Sequence, residues 1–109
     1  MKVARTWTLS ALVVFVLGMG AGSASYGDDG AALYKTKCAA CHGADGKGET
    51  TIGKANKLRD LGSEDVQKLS DADLTAIVTS GKNKMPAYGK SLKPEQIKDL
   101  VAFVRTFKK

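Results

Sequence analysis

The sequence predicts an all-α domain behind an export leader, and three observations carry that reading. Apolar residues recur at helical spacing in the C-terminal part, where Ile97, Leu100, Val101, Val104 and Phe107 fall at i, i+3, i+4, i+7 and i+10. Capping and stop residues bracket a second segment, with Ser70 before and Gly81 after a stretch carrying Leu74, Ile77 and Val78. Residues 26–109 hold no alternating apolar and polar run that reads as a strand.

Residues 1–25 read as a secretory signal peptide. Lys2 and Arg5 form its positive start, Leu9 to Leu17 is mostly apolar, and Gly18 to Ser25 is rich in small residues suited to cleavage near Ala24 or Ser25. The alternative is an uncleaved membrane anchor, since no charge interrupts Thr6 to Gly27. Removing 25 of the 109 residues leaves 84, one domain over residues 26–109 whose core is marginal if built from side chains alone.

The elements follow in order. Asp28 or Asp29 is expected to cap a first helix carrying Gly30, Leu33, Tyr34 and Lys37. Residues 43–53 are glycine-rich and read as loop. Ser63 with Glu64, Asp65 and Val66 suggests one helical turn. Ser70 caps the next helix, with Asp71 and Asp73 near its positive end and Gly81 as its stop. The last helix begins with Pro94 at its first position. Lys93 stands where a Ser or Thr cap would be, so a weak cap is expected there, with packing holding the helix.

Between the first helix and the loop lies Cys38-Ala39-Ala40-Cys41-His42, which contains both cysteines and the one histidine of the chain. The spacing C-x-x-C-H is that of covalent c-type haem attachment: two thiols add across the vinyl groups, and the histidine binds the iron. A zinc site would need four cysteine or histidine ligands, and the chain has three. A thioredoxin-like dithiol expects a βαβ context that is missing here. A haem also supplies the apolar bulk that so short a domain lacks.

Haem iron takes a sixth ligand, and a second histidine is absent. Met85 is the one methionine outside the leader. It lies in Lys82-Asn83-Lys84-Met85-Pro86-Ala87-Tyr88, off any helical stripe, before a proline that stiffens the backbone. Met85 is therefore read as the distal ligand, with core filler, Lys82, Lys84 or an open iron as the alternatives.

C-A-A-C-H-G, the glycine-rich loop, K-M-P-A-Y and the closing amphipathic helix together resemble a class I c-type cytochrome of the short bacterial kind, similar to cytochrome c6 and the small c-551 and c-552 proteins. The resemblance covers essentially all of residues 26–109. It implies three main helices plus short turns around one covalently bound haem, with Gly30 and Tyr34 crossing Leu100 and Phe103. It also implies a proline in the loop after the motif, whose region supplies an acceptor for the proximal histidine. Here Lys54-Ala55-Asn56-Lys57-Leu58 occupies that place, so the acceptor for His42 Nδ1 is unidentified.

Ligation by His42 and Met85 leaves the iron saturated, which suits a periplasmic one-electron carrier cycling between Fe(III) and Fe(II) rather than an enzyme. A haem-based ligand-binding or sensing protein, or a weak peroxidase, would need a labile Met85. Loss of Lys2 and Arg5 leaves 15 basic against 11 acidic residues, so the domain is mildly basic even before two haem propionates are counted. No dense basic cluster interleaved with aromatics points to nucleic acid. Lys35, Lys37, Lys82, Lys84 and Lys90 are placed by the resemblance near the haem edge, where they would steer docking onto acidic patches of redox proteins. The bland alternative is solvation, since Lys47, Lys54, Lys57, Lys93, Lys98, Lys108 and Lys109 are spread elsewhere. A monomer is expected.

Overall fold

The computed structural model describes residues 26–109; the signal peptide expected over residues 1–25, with its cleavage point, lies outside the described residues. Among the described residues six helices follow in order: α1 (Tyr26–Lys37), α2 (Ala39–His42), α3 (Thr51–Ala55), α4 (Glu64–Gln67), α5 (Asp71–Ser80) and α6 (Pro94–Arg105). No strand occurs among the described residues, and Lys82 and Met85 form an isolated bridge. Among those residues no helix is long and apolar enough to cross a membrane.

Three of the expected element ends held. Ser70 Oγ accepts from the Asp73 amide and the Asp73 carboxylate accepts from the Ser70 amide, which closes a capping box on α5. Gly81 ends α5 at φ 75°, a left-handed conformation that glycine adopts without a Cβ clash. Ser63 caps α4 through the Val66 amide. Three expectations need correction. Asp28 and Asp29 lie within α1 (Tyr26–Lys37) with helical residues before them, so neither caps it. Residues 51–53, the end of the stretch read as loop, belong to α3, because Thr50 Oγ1 accepts from the Gly53 amide at 2.8 Å and so starts a helix. At α6 the missing Ser or Thr is compensated: Gln96 Oε1 reaches back to the Lys93 amide at 2.8 Å, which is the return half of a capping box.

The long apolar stripe of α6 does face inward, with Ile97, Leu100 and Val101 buried. It extends past the helix end to Phe107, whose ring sits 5.3 Å from that of Tyr34 and 5.2 Å from that of Phe103. Tyr34 and Phe103 are 5.0 Å apart, centroid to centroid. Gly30 makes this crossing of α1 and α6 possible: a Cβ there would stand 2.9 Å from the Asp99 carbonyl carbon, closer still to its oxygen, and 3.1 Å from Phe103 Cβ. On the other side of α6, Arg105 donates to Asp71 Oδ1, to the Gln67 carbonyl and to the Leu69 carbonyl at 2.6–2.9 Å. Gln67 in turn donates to the carbonyls of Leu61 and Val104. These bonds tie α6 to α4 and the start of α5.

The buried residues form two clusters, one of Tyr34, Leu92, Ile97 and Leu100, the other of Val66, Leu74 and Val101. Members of both line one cavity. The domain therefore has a core whose middle is shaped for another apolar body.

Candidate haem site

Cys38, Cys41 and His42 are brought together by one turn of helix. Cys38 N–H donates to the Tyr34 carbonyl at 2.9 Å, continuing the α1 pattern, and its own carbonyl accepts from His42 N–H at 2.9 Å. Spacings of three and four residues then set Cys41 and His42 on the same side as Cys38. Gly43, at φ 83°, ends the turn. Three carbonyls at that end are claimed: Thr50 Oγ1 donates to Cys41 O at 2.6 Å, Gly48 N–H to His42 O at 2.7 Å, and the Tyr34 hydroxyl to Gly43 O at 2.6 Å. Thr50 and Gly48 thus position the motif from the loop, a role that the composition of the loop did not reveal.

Burial lowers the His42 pKa, which favours the neutral imidazole that a metal needs. His42 Nδ1 is buried and has no hydrogen-bond partner. The acceptor that the sequence left unidentified is thus not supplied by the residues around it. Cys38 and Cys41 are not joined to one another. Burial, with Cys41 nearby, pushes the Cys38 thiol up to about 11, the opposite of what a dithiol redox centre requires. Among the described residues no group of three or more His, Cys, Asp or Glu is arranged to hold a metal ion by itself.

Met85 lies on a tight turn. Lys82 and Met85 exchange two backbone hydrogen bonds, of 3.2 and 2.9 Å, across Asn83 and Lys84, and Asn83 takes φ 55°. The loop then folds onto the end of α5, where Tyr88 N–H donates to Val78 O at 2.9 Å and Gly89 N–H to Thr79 O at 3.0 Å.

The cavity has a volume of about 680 Å³, in the range of cofactor sites, and is walled by side chains of α1, α4, α5, α6 and the methionine loop. Cys38, Cys41, His42 and Met85 all line it. So do five cations, Lys37, Lys57, Arg59, Lys82 and Lys84, and no Asp or Glu does. Of the lysines placed near this edge by resemblance, Lys35 and Lys90 do not line it, whereas Lys57, counted as lying elsewhere, does. Arg59 lines it too and was not singled out from the sequence.

Residues 26–104 match the family described as cytochrome c oxidase, cbb3-type, subunit III. The chain belongs to the cytochrome c family. It is 43% identical over 76 residues to cytochrome c6 of Nostoc sp., a match covering 70% of this chain and 66% of that protein. Against cytochrome c6 of Aphanizomenon flos-aquae the identity is 40% over 75 residues, covering 69% of this chain and 83% of that protein. The solved structure of the KustC0563 c-type cytochrome superposes with a TM-score of 0.70 at 36% identity, over 74% of this chain and 99% of that one. The helical architecture is that of class I c-type cytochromes. Membership of this family makes the chain an electron-transfer protein rather than an enzyme, with one covalently bound haem c as its cofactor.

The residues present fit that cofactor. The cavity offers two thiols on one turn of helix, an imidazole kept neutral, a thioether from a separate loop, and otherwise apolar walls with cations among them.

Proposed function

We propose that the chain is a periplasmic one-electron carrier whose haem would be anchored by thioethers at Cys38 and Cys41, with His42 and Met85 as the residues that would bind its iron. The observation that supports this most is that Met85, far along the chain from the motif and on a turn of its own, lines the same cavity as Cys38, Cys41 and His42. An ordinary core methionine would sit on a helical stripe. The leader read over residues 1–25 supports the compartment.

The haem, when bound, supplies a one-electron iron couple. The chain's residues do the remaining work. Leu74, Val78, Leu100 and Val101 keep water from the site, which lowers the rearrangement that accompanies a change of charge. The Met85 thioether would favour the reduced state of the iron relative to a second imidazole. With His42 and Met85 both holding the iron, no position would be left open for a substrate. Lys37, Lys57, Arg59, Lys82 and Lys84 make the mouth of the cavity positive and suit it to redox proteins that present acidic patches.

Absorption spectroscopy of the haem-loaded protein tests the ligand set. The oxidised protein should show a near-infrared sulfur-to-iron band, and Met85→Ala should lose it and gain high-spin features. A wild-type protein without the band, or one whose reduced form binds carbon monoxide readily at neutral pH, would instead support ligand sensing or peroxidase chemistry.

A further inference from the structure

We propose that Tyr88 is the latch that holds the methionine loop closed on the cysteine-bearing wall of the cavity. Its hydroxyl donates to the Lys37 carbonyl at 3.0 Å, across 51 residues of chain. Lys37 is the last residue of α1 and directly precedes Cys38. The last carbonyls of a helix have no amide of their own to accept from, so this oxygen is free to take a side-chain donor. At its other end Tyr88 is fixed to the opposite wall, since its backbone N–H donates to Val78 O at the end of α5. Tyr88 therefore spans the cavity mouth as a strut between α1 and α5, three residues after Met85.

The internal bonds of the loop do not close it. Lys82 and Met85 bond to each other, and Tyr88 and Gly89 bond by their amides to Val78 and Thr79, so the turn and the end of α5 form one unit. That unit can move away from Cys38 and His42 without breaking any of those bonds, but not without breaking the bond from Tyr88 to Lys37. The ring of Tyr88 also packs on the Tyr34, Leu92, Ile97 and Leu100 cluster. Phenylalanine would keep that packing and remove the hydroxyl alone. Tyr88 is thus a positioning residue: it acts on the iron site through Met85.

The inference rests on Met85 as ligand, and the experiment separates the two. Imidazole binding to the oxidised haem-loaded protein requires Met85 to leave first, so its rate reads the opening of the loop. Tyr88→Phe should keep the near-infrared sulfur band yet bind imidazole about two- to twelvefold faster, the effect of one net hydrogen bond on an opening equilibrium. Amide exchange over residues 82–89 should accelerate in step. Asp71→Ala, which releases Arg105 at the far end of α5, is the control for plain loss of stability and should leave the imidazole rate unchanged. An unchanged rate in Tyr88→Phe with the sulfur band present would overturn the latch and leave Met85 as ligand. An equal acceleration in both variants would also overturn it. Absence of the band in the wild-type protein would remove the ligand assignment and the latch with it.

Discussion

Replacing Gly30 by alanine should separate α1 from α6 and destabilise the domain, although alanine is the better helix former. The new methyl would stand 2.9 Å from the Asp99 carbonyl carbon and 3.1 Å from Phe103 Cβ. Favourable carbon contacts lie at about 3.5–4.0 Å, so the helices must part by roughly 0.6 Å or more. The obstacle is backbone inside α6 and cannot rotate aside. Overpacking of this kind costs about 1–3 kcal/mol, and a rigid obstacle puts the strain near the upper end, at about 2–3 kcal/mol. Gly30 lies in the interior of α1, so alanine recovers about 1 kcal/mol of helix propensity. The net loss is about 1–2 kcal/mol, or about 4–16 °C in Tm for a domain of this size. Thermal and guanidinium unfolding of the haem-loaded protein, followed by far-UV circular dichroism, measures it. Ala32→Gly, at an exposed position of the same helix, calibrates propensity alone and should cost about 1 kcal/mol. A Gly30→Ala variant as stable as the wild type, or more so, would show that the helices do not meet at this glycine.

Three further outcomes are expected. Asn83, at φ 55°, should tolerate glycine without loss of stability, whereas Asn83→Ala should lose about 1 kcal/mol in the same unfolding assay; equal behaviour of the two variants would contradict the left-handed turn. The Asp60 carboxyl is held below its ordinary value by its hydrogen bond from Lys109 and by the Gly62 amide. Its folded pKa is thus below the unfolded one, so the stability it contributes is complete above the ordinary carboxylate range, about pH 4, and is lost as pH falls through the folded value. Asp60→Asn should accordingly flatten the acid limb of a stability profile, and because the same bond raises the Lys109 pKa, it should also remove the stability that is lost as pH rises through the folded Lys109 value. Electron-transfer rates with an acidic redox protein should fall as salt rises, and Lys57 and Arg59 charge reversals should weaken that dependence; rates that stay flat with ionic strength would remove the docking role of the cavity rim.

The site proved more legible in the sequence than the loops that build it. Cys38, Cys41 and His42 are three neighbours whose spacing alone places them on one helical turn, and Met85 stood out by being the one methionine of residues 26–109. Helix α3 was missed because its start depends on one bond, from the Gly53 amide to Thr50 Oγ1, within a stretch whose glycine content argues for loop. The cap of α6 was misjudged because only the N-cap position was weighed, while Gln96 supplies the acceptor from one turn inside the helix. Lys57 and Arg59 were not assigned to the cavity because nothing local says which side of the chain faces it after α3.

By itself the sequence determined the helical class, the attachment motif, the candidate ligand pair and the order of the elements, since each rests on residue type and short-range spacing. Only the tertiary structure decided which side chains share the cavity, that His42 Nδ1 has no acceptor, and that the Tyr88 hydroxyl reaches the Lys37 carbonyl. These are contacts between residues distant in the chain. They are set by how closely α1 and α6 approach at Gly30 and by how the loop after Gly81 folds back on α5, and no local pattern encodes either.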